Sequence, residues 1–211
     1  MSKLYPLKRL LEDQIDAASR VAAHALQDDP LFVSYYPNPI ERNIKNVIRC
    51  KNMILLGILS GEVYITSSNI EGVAIWNPHE IKELRMGKQS KEIIRESRKV
   101  RREIYTDPDF ANRIGASMEI FNSLQNEYAN FPHWYLTLIA VDPLHQGKGY
   151  ASMLLKAKLR ELDKQKLPCY LNTQNKDNVP IYEHFGFELV GKIQVPNSNI
   201  NYYGMLRKKK K

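Results

Sequence analysis

The segment His133 to Val141 (HWYLTLIAV) constrains this chain more than any other. It is almost wholly apolar, rich in β-branched and aromatic residues, and closed by Asp142-Pro143, which marks a buried strand rather than a half-solvated one. A glycine-rich turn follows, and then a helical pattern over 147–165 in which Ala151, Leu154, Leu155, Lys158 and Leu162 recur at helical spacing. Pro168 to Thr173 (PCYLNT) reads as a second strand. Two strands joined through a helix cannot close as a hairpin, so they are expected to be parallel neighbours with the helix laid across the sheet.

The remaining pattern surrounds this unit with helices and antiparallel strands. Residues 3–9 suggest a short first strand that Pro6 weakens. Leu11, Ile15, Ala18, Ala22 and Ala25 form one helical stripe that Asp29-Pro30 ends, and LFVSYYPNP over 31–39 reads as a loop. Ile40, Ile44, Val47, Ile48 and Ile54 predict a second helix, stopped at Gly61. Val63–Thr66 and Val73–Trp76 predict a hairpin. Residues 79–104 are dense in charge and read as exposed helix with a solvated face, or as a lid. Phe110, Ile114, Met118, Phe121 and Leu124 place a helix over 109–128. Val179–Phe185 predicts a short helix stopped at Gly186, and Phe187–Gln194 and Tyr202–Leu206 predict the last strands. The expected class is α+β, a mixed sheet flanked by helices. The expected organisation is one domain over 1–207, with 79–128 as a helical insertion on its substrate side and 208–211 as a disordered basic tail.

The chemistry concentrates in the turn. Gly147, Gly149 and Ala151 leave backbone N–H groups uncovered at a helix N-terminus, where the helix dipole also favours an anion. A P-loop would need Gly-x-x-x-x-Gly-Lys-Ser/Thr, which is absent, and a dinucleotide fingerprint would need a third glycine where Ser152 stands. Gln146-x-x-Gly149-x-Ala151 fits a third pattern, Gln/Arg-x-x-Gly-x-Gly/Ala after a strand. Taken alone, such a turn serves as often to connect as to bind phosphate. Tyr182, beside Phe185 and Phe187, reads by itself as a packing residue. His133, His145 and His184 show no metal-ligand spacing, so no metal is expected, and Trp76 and Trp134 read as core.

Charge and apolar runs exclude other classes. The net charge is +8, but Arg207–Lys211 carries five positive charges, and +8 minus 5 leaves +3 for the rest, too little to argue for nucleic acid. No apolar run is long enough to span a bilayer, and the first residues lack a secretory signal pattern, so the expected compartment is the cytoplasm. Cys50 and Cys169 are then expected to be free buried thiols. Nothing in the sequence selects monomer over homodimer.

Two motifs in order, LTLIAVDPLHQGKGYASMLL over 136–155 and the string from Asn175 to Phe187 ending in Tyr182-x-x-x-Gly186-Phe187, resemble motifs A and B of the GCN5-related N-acetyltransferase (GNAT) superfamily. The resemblance covers roughly 133–191, and its wording is similar to a branch that includes puromycin acetyltransferase. It implies the GNAT fold: a mixed, mostly antiparallel sheet with one splayed parallel strand pair. It implies acetyl-CoA as acyl donor, with an amine of a small molecule or peptide as acceptor. It implies pantetheine along the backbone of Ile139, Ala140 and Val141. The pyrophosphate is then expected on Gly147, Lys148, Gly149, Tyr150, Ala151 and Ser152 with Gln146 nearby, and the cofactor arm near Asn175 and Asn178. Tyr182 is the expected general acid. Some relatives carry Glu on the second strand where this chain has Asn172, which cannot take a proton; Glu119, Glu127 or a water chain could substitute. A silent CoA-binding module of the same fold is the alternative reading. Phe32, Tyr35 and Tyr36 suggest an acceptor site with aromatic walls.

Overall fold

The computed structural model describes residues 7–81, 91–106, 108–196 and 198–209. In chain order the elements are β1 (Lys8–Arg9), α1 (Ile15–Ala25), α2 (Pro30–Tyr35), α3 (Pro39–Ser60), β2 (Glu62–Ile65), β3 (Gly72–His79), α4 (Lys91–Ile104) and α5 (Pro108–Tyr128). They continue with β4 (His133–Val141), α6 (Tyr150–Gln165), β5 (Cys169–Thr173), α7 (Asn178–His184), β6 (Glu188–Gln194) and β7 (Asn201–Arg207). The strands form one seven-stranded sheet in the order β1-β2-β3-β4-β5-β7-β6. Every pairing is antiparallel except β4 with β5. The fold is therefore the expected mixed α/β one, with a single parallel pair at its centre.

That parallel pair comes apart. β4 and β5 are in register only at Trp134–Cys169 and Tyr135–Tyr170. Beyond them β4 follows β3 as far as Val141, while β5 follows β7 as far as Thr173. The β3–β4 register passes from Ile75–Leu138 to Trp76–Leu136, so Thr137 is an extra residue, a bulge that bends β4 where the strands separate. Its hydroxyl donates to Asn77 Oδ1 at 2.6 Å. The split exposes backbone from both strands to the space between them.

Two hydrophobic bodies hold the sheet. On one side α1 and α3 supply Ala18, Ala22, Cys50, Ile54 and Leu55 against Val73, Ile75 and Leu138. On the other α6 buries Leu154, Leu155, Leu159 and Leu162 against Trp76, Trp134, Leu136 and Leu171. Both tryptophans are core, as expected. Lys158 is buried as well: its Nζ donates to Glu62 at 2.6 Å and Glu161 at 2.9 Å, and lies 3.6 Å from the Trp134 ring centroid. A buried ammonium survives only with such partners. Cys50 and Cys169 are buried free thiols.

Several expectations are corrected. The segment 31–39 begins with a helix, not a loop: Asp29 caps α2, with its side chain accepting from Leu31 N–H at 3.0 Å, and Pro30 occupies the first helical position. The Asp-Pro pair that stops one helix starts the next, because proline is preorganised for that first position. Leu11, which lies before α1, is 60% exposed, and Ile44 is 61% exposed, since the buried stripe of α3 runs instead through Arg42, Asn46, Cys50 and Ile54. The charged 79–104 segment is not simply a solvated face. Ile93, Ser97, Val100 and Ile104 form a buried stripe on α4, and Lys51 of α3 is 2.9 Å from Glu96. Helix α6 starts at Tyr150, because Gly147 and Gly149 take positive φ.

Other expectations fall partly outside the described residues. Residues 3–6 of the first strand, 82–90 of the charged segment and 210–211 of the tail are among those; Lys208 pairs with Glu188 at 2.7 Å. No helix among the described residues is long and apolar enough to cross a membrane.

Candidate active site

The separation of β4 and β5 opens into a cavity of about 540 Å³. Its floor is Tyr135 to Ile139 of β4 and Asn172 and Thr173 of β5, and its walls are α2, α3, the end of α4 and α5. Tyr182 of α7 lines it. The sequence places these groups together through topology: the first and last thirds of the chain meet only because β4 sits between β3 and β5.

Tyr182 has its ring in the core, edge-on to Phe187 with centroids 5.9 Å apart. Its hydroxyl makes no hydrogen bond among the described residues and is not one of the fully buried unpartnered atoms, so it opens to the cavity. Burial, and then the Asp29 carboxylate and Cys169, raise its pKa above the ordinary phenol value, so the group stays protonated and can donate into the cavity.

Asp29 also lines the cavity. Burial pushes its pKa above the ordinary carboxylate value, against the Leu31 and Phe32 N–H groups and Arg49, which lower it. Arg49 on α3 lies with its guanidinium carbon 4.2 Å from the Tyr35 ring centroid, 4.8 Å from that of Phe32 and 5.6 Å from that of Phe110. Asn172, where a base was sought, accepts from the Tyr170 hydroxyl at 3.0 Å and turns an unpartnered amide nitrogen into the interior. Glu119 and Glu127 are exposed and line no part of the cavity.

At the far end of β4 lies the glycine turn. Pro143–His145 makes one 3-10 turn capped by Asp142, which accepts from Leu144 N–H at 2.9 Å. Gly147 and Gly149 follow with φ of 75° and 85°. A Cβ at either would meet nothing within 4 Å, so space is open above both. Met153 N–H bonds Gly149 C=O at 3.0 Å, which leaves the N–H groups of Tyr150, Ala151 and Ser152 as the unsatisfied first turn of α6. Open space over free donors at a helix N-terminus fits a pyrophosphate.

The other expected contacts divide. Gln146 Nε2 donates to Val141 C=O at 3.2 Å and Lys148 Nζ to Leu144 C=O at 3.1 Å, so both fasten the turn. Ile139 reaches the cavity, while Ala140 and Val141 continue the strand toward the turn. Asn178 lines the cavity and donates to Thr173 Oγ1 at 3.3 Å. Asn175 Oδ1 accepts from Asp177 N–H at 3.0 Å, which commits that oxygen to the turn before α7. Of the aromatics, Phe32 and Tyr35 face the cavity and Tyr36 stacks on Phe110 at 5.1 Å.

Sequence reading missed Asp29 and Arg49. Asp29 was hidden by its role as punctuation. Arg49 left a signal: Arg42, Asn46 and Arg49 follow helical spacing on the face of α3 turned inward, where polar side chains need a reason.

Residues 114–189 match the acetyltransferase (GNAT) domain family. An uncharacterized N-acetyltransferase of Schizosaccharomyces pombe is 39% identical over 66 residues, a stretch that spans 31% of this chain and 27% of that protein's length. The whole fold is similar to a histone acetyltransferase HPA2 and related acetyltransferase from Corynebacterium glutamicum, with a TM-score of 0.66, 19% identity and 98% and 97% of the two chains covered. It is also similar to arylalkylamine N-acetyltransferase 2 from Aedes aegypti, with a TM-score of 0.58, 14% identity and 97% and 98% covered. At such identities the likeness concerns the fold.

The turn yields a prediction. Gly149→Ala and Gly149→Glu share the strain of an L residue at positive φ, about 1–2 kcal/mol. Only the glutamate adds a charge where the anion would sit. Acetyl-CoA at a hundredfold excess over Kd stabilises a binding protein by about 2.7 kcal/mol. Wild type and Gly149→Ala are expected to show an acetyl-CoA-dependent rise in Tm, and Gly149→Glu none. An equal rise in all three removes the pyrophosphate from this turn.

Proposed function

We propose that the chain transfers an acetyl group from acetyl-CoA to a primary amine of a small molecule or peptide by direct attack. The observation that carries the reading is the unpartnered, protonated Tyr182 hydroxyl beside the split between β4 and β5, in a cavity whose charged groups include Asp29.

Bound in the split, acetyl-CoA supplies the thioester. Residues Tyr150 to Ser152 of α6 would hold its pyrophosphate, and the exposed backbone of β4 around Ile139 to Val141 would align its arm. Backbone N–H groups facing the split would stabilise the carbonyl oxygen as charge grows there. Asp29 would orient the acceptor nitrogen and take one proton from its ammonium, freeing the lone pair that forms the new C–N bond. Tyr182 would give its proton to the departing sulfur as the C–S bond breaks. The second nitrogen proton restores the one Tyr182 gave, so protonated amine plus thioester yields amide, thiol and the one proton taken by Asp29. The apolar walls from α2, α3 and α5 exclude water and so suppress hydrolysis.

The test is an amine panel with acetyl-CoA, read by release of free thiol and by mass of the acetylated product. Acceptor-dependent release with the matching amide is the expected result. Acetyl-CoA binding without release for any amine would leave only a CoA-binding module.

A further inference from the structure

Helix α3 carries two inward-facing arginines that the fold treats differently. Arg42 is 6% exposed and spends its guanidinium on the chain: Nε donates to Gln27 C=O at 2.7 Å, and Nη1 to Tyr36 C=O at 2.7 Å and Pro37 C=O at 2.9 Å. Those bonds fix the stretch that holds Asp29 and α2. Arg49, two turns later, has Nε and Nη1 buried and no hydrogen-bond or ion-pair partner among the described residues. Aromatic rings frame it and satisfy its cationic character, but not its in-plane N–H donors. Leaving a buried charged donor unmade is expensive, so a site built this way is short of an anionic acceptor of hydrogen bonds.

The charge balance of the cavity says the same. Its charged lining residues are Asp29, Arg49 and Arg101, two cations and one carboxylate. Asp29 does not close on Arg49 as an ion pair, although both line one space. The negative groups expected of the acyl donor belong at the glycine turn, at the other end of β4. Arg49 is therefore left for the acceptor.

We propose that the acceptor is a zwitterionic amine, an amino acid or a compound of that class, whose carboxylate pairs with Arg49 while its amino group lies between Asp29 and Tyr182. This rests on the acetyltransferase reading of the site and deepens it to a substrate class. An arginine held in place by flanking rings suits the planar, two-oxygen geometry of a carboxylate. Phe32 and Tyr35 then give the acceptor an apolar or aromatic wall between its two charges.

The experiment compares acceptors of one skeleton, the free amino acid, its methyl ester and the decarboxylated amine, with wild type and Arg49→Met. Wild type is expected to prefer the free amino acid by at least about tenfold in kcat/KM, mostly through KM, because a site built for a charged partner rejects the analogue lacking it. In Arg49→Met the ratio between free acid and ester should fall toward one. The deaminated carboxylate of the same skeleton should compete with acceptor in wild type and lose that inhibition in the variant. An unchanged Tm response to acetyl-CoA shows that the variant is folded. Wild-type preference for the ester or the decarboxylated amine overturns the proposal, as does a preference that survives Arg49→Met. If no amine of any kind is acetylated, the acetyltransferase reading itself fails and this proposal goes with it.

Discussion

Tyr182→Phe is expected to lower kcat by about 10²- to 10⁴-fold, the range that a positioned general acid supplies. The substitution is unusually clean. The ring stays in the core against Phe187, and the hydroxyl it removes has no hydrogen bond to lose among the described residues. Stability should therefore be unchanged or slightly increased, and the Tm response to acetyl-CoA should persist. The loss should fall on kcat rather than KM, because proton donation to sulfur develops in the transition state. A phenol raised above its ordinary pKa is a weaker acid than one in water, but a thiolate leaving into the same buried space is a stronger base. Tyr182 remains protonated across the neutral range, so no basic limb of the pH profile should belong to it. Near-normal kcat with chemistry shown to be rate-limiting would return Tyr182 to the core as a packing residue.

How far the sequence led depends on the range over which each residue acts. Strand β4, the glycine turn and helix α6 were legible because their cues are local: an apolar run, positive-φ glycines, a helical stripe. The parallel pairing of β4 with β5 followed from the helix between them. Tyr182 was singled out through its motif, and it lines the cavity. The far wall of the cavity was legible only in part: Phe32 and Tyr35 were named, whereas Asp29 and Arg49, far from β5 in sequence, were not. Asp29 carried two local meanings, stop and start, and only the first was read. Apolar residues usually define the buried stripe, which points to Ile44, yet α3 turns Arg42 inward to the carbonyls of Gln27, Tyr36 and Pro37 and Asn46 inward to Gln27. Of the polar residues that broke the pattern, Arg49 lines the cavity, while Arg42 and Asn46 tie α3 to the chain before it.

Asp29→Asn is expected to cut kcat/KM for the amine acceptor by about 10²-fold or more, as loss of a general base does. The competing explanation is that Asp29 merely caps α2, and the choice of asparagine separates the two. Asn caps a helix about as well as Asp, whereas Ala costs about 1 kcal/mol. A capping role predicts a normal Asn variant and a destabilised Ala variant. A role in taking the amine proton predicts that both are slow while only Ala melts early. Stability against pH gives an independent reading. Burial raises the folded-state pKa of Asp29 above the ordinary carboxylate value, with the Leu31 and Phe32 N–H groups and Arg49 opposing it. A carboxyl whose pKa is raised on folding contributes stability that is full below the unfolded value and is lost as pH rises through the folded one. At pH 7 the ionised group is thus a cost, and Asp29→Asn should melt at or above wild type. The wild-type rate should fall off on the acid side as Asp29 protonates, at a pH above the ordinary carboxylate range, and that limb should vanish in the Asn variant. An Asn variant with wild-type kcat/KM and an intact acid limb would show that the amine loses its proton elsewhere.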